Sequence, residues 1–172
     1  MFYFVRHGST DYSEINTKIY QGFGVNLLPM SDSGIAQIKQ TAKDPRLSGA
    51  DLILSSPYTR AVQTAAILSK ATGADIVVET GLHEWIANKN YVFEPDEVAE
   101  ARYGEFLQSG GVYPSGQDFL WESTEIIQKR VCGVLEKYKH LDKVIVTCHS
   151  MMMEAVTGCS TPKNGEIVEF DL

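Results

Sequence analysis

Cysteine is scarce in this sequence, and what there is does not pair. Of 172 residues, three are cysteine: Cys132, Cys148 and Cys159. An odd number without paired spacing argues against a disulfide framework. It argues equally against a structural zinc site, which takes four ligands in close pairs. Cys148 stands beside His149, a faint metal or redox signal, but a single unclustered cysteine is more often a packing residue. Long apolar runs are missing too. Nothing approaches the roughly 18 residues of a membrane span, and the start, Met1-Phe2-Tyr3-Phe4-Val5-Arg6, meets charge too early for a signal peptide. No membrane partner is expected, and the expected compartment is the cytoplasm. Positive charge is the third shortage. Fifteen Lys and Arg stand against 22 Asp and Glu, a net charge of −7. That disfavours nucleic acid and anionic membranes, which need a broad basic face. A small anionic substrate is still allowed, because salt screens across about 8–10 Å and a few cations in a pocket outweigh a distant negative surface.

What is present is an alternation of short apolar strands with amphipathic helices. Residues 1–6, 51–55, 75–78 and 143–147 read as strands, and 167–170 as an added edge strand. Ser31 suits a helix cap with Asp32 in the first turn, and Ile35, Ile38 and Ala42 follow as an apolar stripe. Ser56-Pro57 has the form of a second helix start, a hydroxyl followed by proline, with Gly73 as its stop. Residues 81–95 look irregular, and 96–108 predict a helix with an acidic outer face. Ile127, Val131, Leu135 and Tyr138 mark a long amphipathic helix, and 151–156 a short one. The alternation implies an α/β sandwich around a largely parallel sheet. The length fits one domain, 1–172, with room for a small cap only around 86–116.

Three strand ends carry unusual polar residues: Arg6-His7-Gly8, Ser55-Ser56-Pro57 with Arg60 a turn later, and Cys148-His149-Ser150. Ligands of open α/β sheets bind beyond the carboxyl ends of the strands. If these strands are neighbours, two histidines and two arginines converge. Guanidinium groups and a helix N-terminus suit a tetrahedral oxyanion, above all phosphate. An imidazole there can attack phosphorus when neutral, and nearby arginines lower its pKa by disfavouring the cation. Taken singly, each residue has an ordinary reading: a strand-end histidine is usually packing or surface, and an arginine on a helix is usually solvated or ion-paired.

These residues resemble the histidine phosphatase superfamily, which includes the phosphoglycerate-mutase-like enzymes. Val5-Arg6-His7-Gly8-Ser9-Thr10 is similar to its strand-end signature. Gln21-Gly22 and Pro29-Met30-Ser31-Asp32-Ser33-Gly34 are similar to the loop and helix start that follow. Ser55-Ser56-Pro57-Tyr58-Thr59-Arg60-Ala61-Val62-Gln63-Thr64-Ala65 is close to the second motif. Leu82-His83-Glu84 resembles the segment carrying the acid, and Cys148-His149-Ser150 falls where a second histidine belongs. The resemblance implies a three-layer α/β/α, phosphoglycerate-mutase-like fold. It implies that His7 takes the phosphoryl group, that Arg6, Arg60 and His149 hold the phosphoryl oxygens, and that Glu84 is the general acid and base. His83 is the competing acid if the register slips by one, with Glu154 and Glu79 further off. No metal or cofactor is implied, because arginines take the place of magnesium. A family asparagine that assists phosphate binding corresponds by spacing to Ser13, with Asn16 and Ser9 as substitutes. Ser150 replaces a glycine, and a Gly-Glu-Ser pattern before the long helix is read at Gly116-Gln117-Asp118.

The implied activity is that of a metal-independent phosphomonoesterase of the histidine acid phosphatase type, working through a phosphohistidine on a small phosphorylated substrate. A phosphoglycerate-type mutase is the alternative, disfavoured by the small acidic cap, which leaves a phosphohistidine open to water. A non-catalytic phosphate-binding module is the other. Trp85, Tyr91, Phe93, Trp121 and Tyr113 are candidates for an apolar wall, although aromatics of this kind are more often core.

Overall fold

The structure is a computed structural model describing residues 1–172. Five strands form one sheet: β1 (Phe2–Arg6), β2 (Leu52–Ser55), β3 (Asp75–Val78), β4 (Val144–Cys148) and β5 (Ile167–Phe170), in the order β3-β2-β4-β1-β5. β1, β2, β3 and β4 are parallel, and β5 pairs antiparallel with β1 at one edge. The central strands β2, β4 and β1 lie side by side, so their carboxyl ends form one row.

Alternation along the strands explains the layers, because successive side chains point to opposite faces. Phe2, Phe4, Leu54, Val144, Val146 and Cys148 point to one face, against Ile127, Val131 and Leu135 of α4 (Thr124–Leu135) and Met152 and Met153 of α5 (Ser150–Thr157). Val5, Ile53 and Ile145 point to the other, against Ile38 of α1 (Asp32–Thr41) and Ala65 and Leu68 of α2 (Thr59–Thr72). Each fully buried aliphatic side chain stabilises by about 1.5–3 kcal/mol. The result is three layers, α/β/α, and its central strands are apolar on both faces, as buried parallel strands require. A fifth helix, α3 (Asp96–Gln108), has no buried residue.

Ser31 caps α1 by accepting from the Gly34 N–H at 3.1 Å. The second helix starts later than the Ser56-Pro57 signal suggests. It begins at Thr59, with Tyr58 at the cap position and no side-chain cap bond. The Ser56 hydroxyl is engaged elsewhere, 2.7 Å from His149 Nε2. Cys148 is a buried free thiol packed in the core, and burial raises its pKa, so it is an inert packing residue.

Candidate active site

Strand register builds the centre of the site. Arg6 pairs with Cys148 and Ser55 with Thr147 across the parallel ladders. Two further bonds extend the ladders past the strand ends: His7 N–H to the Cys148 carbonyl at 3.0 Å and Ser56 N–H to the Thr147 carbonyl at 3.1 Å. His7, Ser56 and His149 are therefore neighbours by backbone geometry, before any side-chain contact is made. The His7 and His149 rings meet edge to face with centroids 5.1 Å apart.

Two bonds set the state of His7. Its Nδ1 lies 2.7 Å from the Gly8 carbonyl, and since a carbonyl only accepts, Nδ1 carries the proton. Nε2 accepts from Arg60 Nε at 3.1 Å, so it presents a lone pair. Burial, then the charge of Arg60, and less strongly that of Arg6, push the His7 pKa down to about 3. Gly8 is needed for this arrangement: a Cβ there would collide with the Gly34 carbonyl and the Met30 sulfur. Asn164 Nδ2 also donates to the His7 carbonyl at 2.8 Å.

His149 is fully buried and caps α5. Burial, followed by the charge of Arg60, holds its pKa well below the usual imidazole value. The Ser56 hydroxyl oxygen receives the Tyr58 N–H at 3.3 Å, so its own hydrogen is free to point at His149 Nε2. His149 Nδ1 is buried without a partner. Tyr58 braces the group, its ring 5.0 Å from the His149 ring and 5.1 Å from the Arg60 guanidinium carbon. Arg6 Nη1 donates to the Pro162 carbonyl at 2.6 Å, and its Nε is buried without a partner. Unpaired buried polar atoms are rare, and here both belong to residues at one row of strand ends.

Glu84 sits on the N-terminus of α5. Its Oε1 accepts from the N–H of Trp85 at 2.8 Å and of Met152 at 3.1 Å, and Oε2 from Met151 at 3.3 Å. Burial raises its pKa, and these bonds offset part of the rise. Oε2, with one long bond, keeps room for a proton. The ring nitrogens of His83, the other candidate acid, lie 2.6 Å from the Glu84 carbonyl and 3.2 Å from the Tyr91 hydroxyl. Glu79 is bound to Lys137 and Tyr138, and Glu154 to Ser150.

A pair that sequence reading missed holds this segment. Arg130 Nε and Nη2 donate to the two Glu122 oxygens at 2.8 and 3.0 Å, and Nη1 donates to the Gly81 carbonyl at 2.7 Å. Glu122 also accepts the Ile86 N–H, and its carbonyl accepts Trp85 Nε1. The pair thus grips the chain on both sides of Glu84. The signal was available. α4 starts at Thr124 with Ser123 as its cap, so Trp121-Glu122-Ser123, rather than Gly116-Gln117-Asp118, is the Glu-Ser sequence directly before the long helix.

The other expected residues go elsewhere. Ser13 is exposed and its N–H bonds Asp11 Oδ1; Asn16 is exposed and its Nδ2 reaches Asp96 at 3.4 Å. Neither makes a hydrogen bond to His7, Arg60 or His149. Ser9 bonds α1 through Gln37 and Ser31. Of the five aromatics, Trp85, Tyr91 and Phe93 line a cavity of about 460 Å³ beside Arg60 and Glu84. Trp121 and Tyr113 instead stack with Phe119 and Phe106 as packing residues.

Comparison with known proteins places these features in a family. The sequence model of the histidine phosphatase superfamily (branch 1) matches residues 2–164, so the chain belongs to that superfamily. Over 160 residues it is 28% identical to a Hydrogenobacter thermophilus protein bearing the name phosphoserine phosphatase 2, covering 90% of this chain and 75% of that one. Over 82 residues it is 32% identical to a Proteus mirabilis protein bearing the name phosphoglycerate mutase GpmB, covering 48% of this chain and 36% of that one. The chain thus spans about a third of that mutase relative. Among solved structures, a mycobacterial glucosyl-3-phosphoglycerate phosphatase superposes with a TM-score of 0.67 at 21% identity, covering 96% of this chain and 87% of that one. That likeness shows the fold. No helix is long and apolar enough to cross a membrane.

Proposed function

We propose that the chain is a metal-independent phosphomonoester hydrolase of the histidine acid phosphatase type that works through a phosphohistidine on His7. The observation that carries this reading is the state of His7: Nδ1–H tied to the Gly8 carbonyl, Nε2 unprotonated, and a pKa near 3 beside Arg60. Such an imidazole is a nucleophile across the whole physiological pH range. A phosphoryl group takes over the Arg60 guanidinium that now bonds Nε2. Arg6 and His149 supply further donors to its oxygens.

In the first step Nε2 attacks phosphorus and the ester P–O bond breaks. The leaving oxygen takes the Glu84 proton. In the second step the Glu84 carboxylate accepts a proton from water, the water oxygen attacks phosphorus, and the N–P bond breaks to release phosphate. The raised pKa of Glu84 suits the first role and its ionised form the second. Ser13 and Asn16 take no part in this scheme, since Asn16 is engaged by Asp96 and Ser13 faces solvent.

The test is phosphate release from p-nitrophenyl phosphate. Wild-type turnover should depend on His7, with His7→Ala reducing it by at least about 10⁴-fold, and an acid-labile, base-stable phosphoenzyme should be trapped on rapid quenching of the wild type only. Turnover that persists in His7→Ala sinks the assignment.

A further inference from the structure

The cavity next to Glu84 narrows the substrate class, resting on the proposed reaction for the position of the phosphoryl group. Its volume of about 460 Å³ is that of a small-molecule site. Arg60 and Glu84 are among its lining residues, so on the proposed reaction the group that leaves with the ester oxygen occupies it.

Two features of its lining matter. The first is aromatic. Phe23 and Phe93 meet edge to face at 5.6 Å, yet remain 53% and 44% exposed. Tyr91 and Val92 beside them are 64% and 58% exposed. Tyr91 also has φ +57°, uncommon for a residue with a side chain, and its N–H bonds the Asn88 carbonyl while its hydroxyl meets His83. A contiguous apolar surface left in water beside a catalytic cluster marks a binding wall. The second feature is charge. Arg60 is the sole Lys or Arg among the lining residues, whereas Glu94 and Asp96 are also among them. Arg102, which reaches Glu94 at 2.5 Å, is spent on that carboxylate and the Ala87 carbonyl. Glu94 is balanced by that cation, so a second anionic group on the leaving portion would meet the Asp96 carboxylate and no free cation.

We infer that the substrate is a monophosphate ester of an uncharged alcohol with an aromatic or similarly broad apolar body, rather than a phosphorylated acid or a bisphosphate. Phe23, Trp85, Tyr91 and Phe93 enclose that body, and the Asp96 carboxylate disfavours acidic competitors.

Two phosphonates with the same head group separate the cases: 1-naphthylmethylphosphonate and 2-carboxyethylphosphonate, each titrated calorimetrically into the full chain. The naphthyl compound should bind at least ten-fold more tightly. The Phe23→Ala/Phe93→Ala double variant, altered at two partly exposed positions and checked for an unchanged thermal melt, should lose at least five-fold for the naphthyl compound and nothing for the carboxyethyl one. Equal or tighter binding of the carboxyethyl compound overturns the inference, as does a double variant with unaltered naphthyl affinity. If the naphthyl compound gains nothing over methylphosphonate while p-nitrophenyl phosphate is still hydrolysed through His7, the substrate class alone falls. If no phosphonate binds and no His7-dependent hydrolysis occurs, the phosphatase reading falls with it.

Discussion

The two halves of the site are built by different means. On the phosphate side, His7, Ser56 and His149 stand at the ends of three adjacent strands, and the parallel ladders fix their spacing. On the proposed leaving-group side, the wall comes largely from segments 22–26 and 83–99, which meet through side-chain contacts such as Phe23–Phe93. The first half is buried and tied into the sheet. The second is open, apolar and exposed. A superfamily can therefore keep one chemistry while the second half changes its substrate.

Glu84 stands at the seam, and the largest effect that tests the comparison is there. Glu84→Gln should lower turnover of esters with poor alkyl leaving groups by about 10²–10⁴-fold, and p-nitrophenyl phosphate much less. Steady-state rates across a leaving-group series measure this. A uniform loss across the series would assign Glu84 to the phosphate half instead.

Next in size is the Glu122–Arg130 pair, which joins the halves. Glu122 is 2% exposed, so Arg130→Met would leave a carboxylate buried without its cation, at a cost of about 3–5 kcal/mol. Urea denaturation should show that loss, and Arg130→Met/Glu122→Gln should recover part of it. A loss below about 1 kcal/mol would show that the pair does not hold the Glu84 segment.

Legibility in the sequence follows the same division. His7, His149 and Arg60 could be read because a strand end and the helix turn after it are local features, and the strand ends needed only to be neighbours. The start of α2 was misread for a tertiary reason: the Ser56 hydroxyl that looks like a cap is drawn to His149, 93 residues away. The surroundings of Asn16 include Asp96, 80 residues away, which no local pattern reveals. Glu122 and Arg130 lie eight residues apart across the start of a helix, and their partners at Gly81 and Ile86 belong to a distant segment. Trp121 and Tyr113 look like any other exposed aromatics until the chain closes around them.

The phosphate half also predicts a pH dependence of stability. The pKa of His7 falls in the folded state to about 3, chiefly through burial, while an unfolded histidine titrates near 6.5. Between those values the unfolded chain binds the proton and the folded chain does not, so folding stability is present above about pH 6.5 and declines as pH falls. Linkage gives a loss of about 2 kcal/mol per such histidine from pH 7 to pH 5. His7→Asn should remove one such increment, flattening the dependence of denaturation midpoints on pH. An unchanged slope would mean that His7 is not held neutral.

The smallest effect belongs to the leaving-group half. Asn16 has φ +63°, a left-handed conformation that asparagine tolerates better than most residues. Its amide bond to Asp96 is long, at 3.4 Å, and exposed. An exposed hydrogen bond of this kind adds little, so Asp96→Asn should change stability by less than about 0.5 kcal/mol. Its effect on binding should be selective, because Asp96 is one of the carboxylates facing the leaving group. Removing that charge should ease entry of an acidic phosphonate by a few-fold and leave inorganic phosphate inhibition unaltered, since the phosphate half does not contain it. Inhibition constants for phosphate and 2-carboxyethylphosphonate, measured on wild type and Asp96→Asn, decide the matter. If both constants move together, the two halves are coupled, and the division between a phosphate half and a separate wall does not hold for this chain.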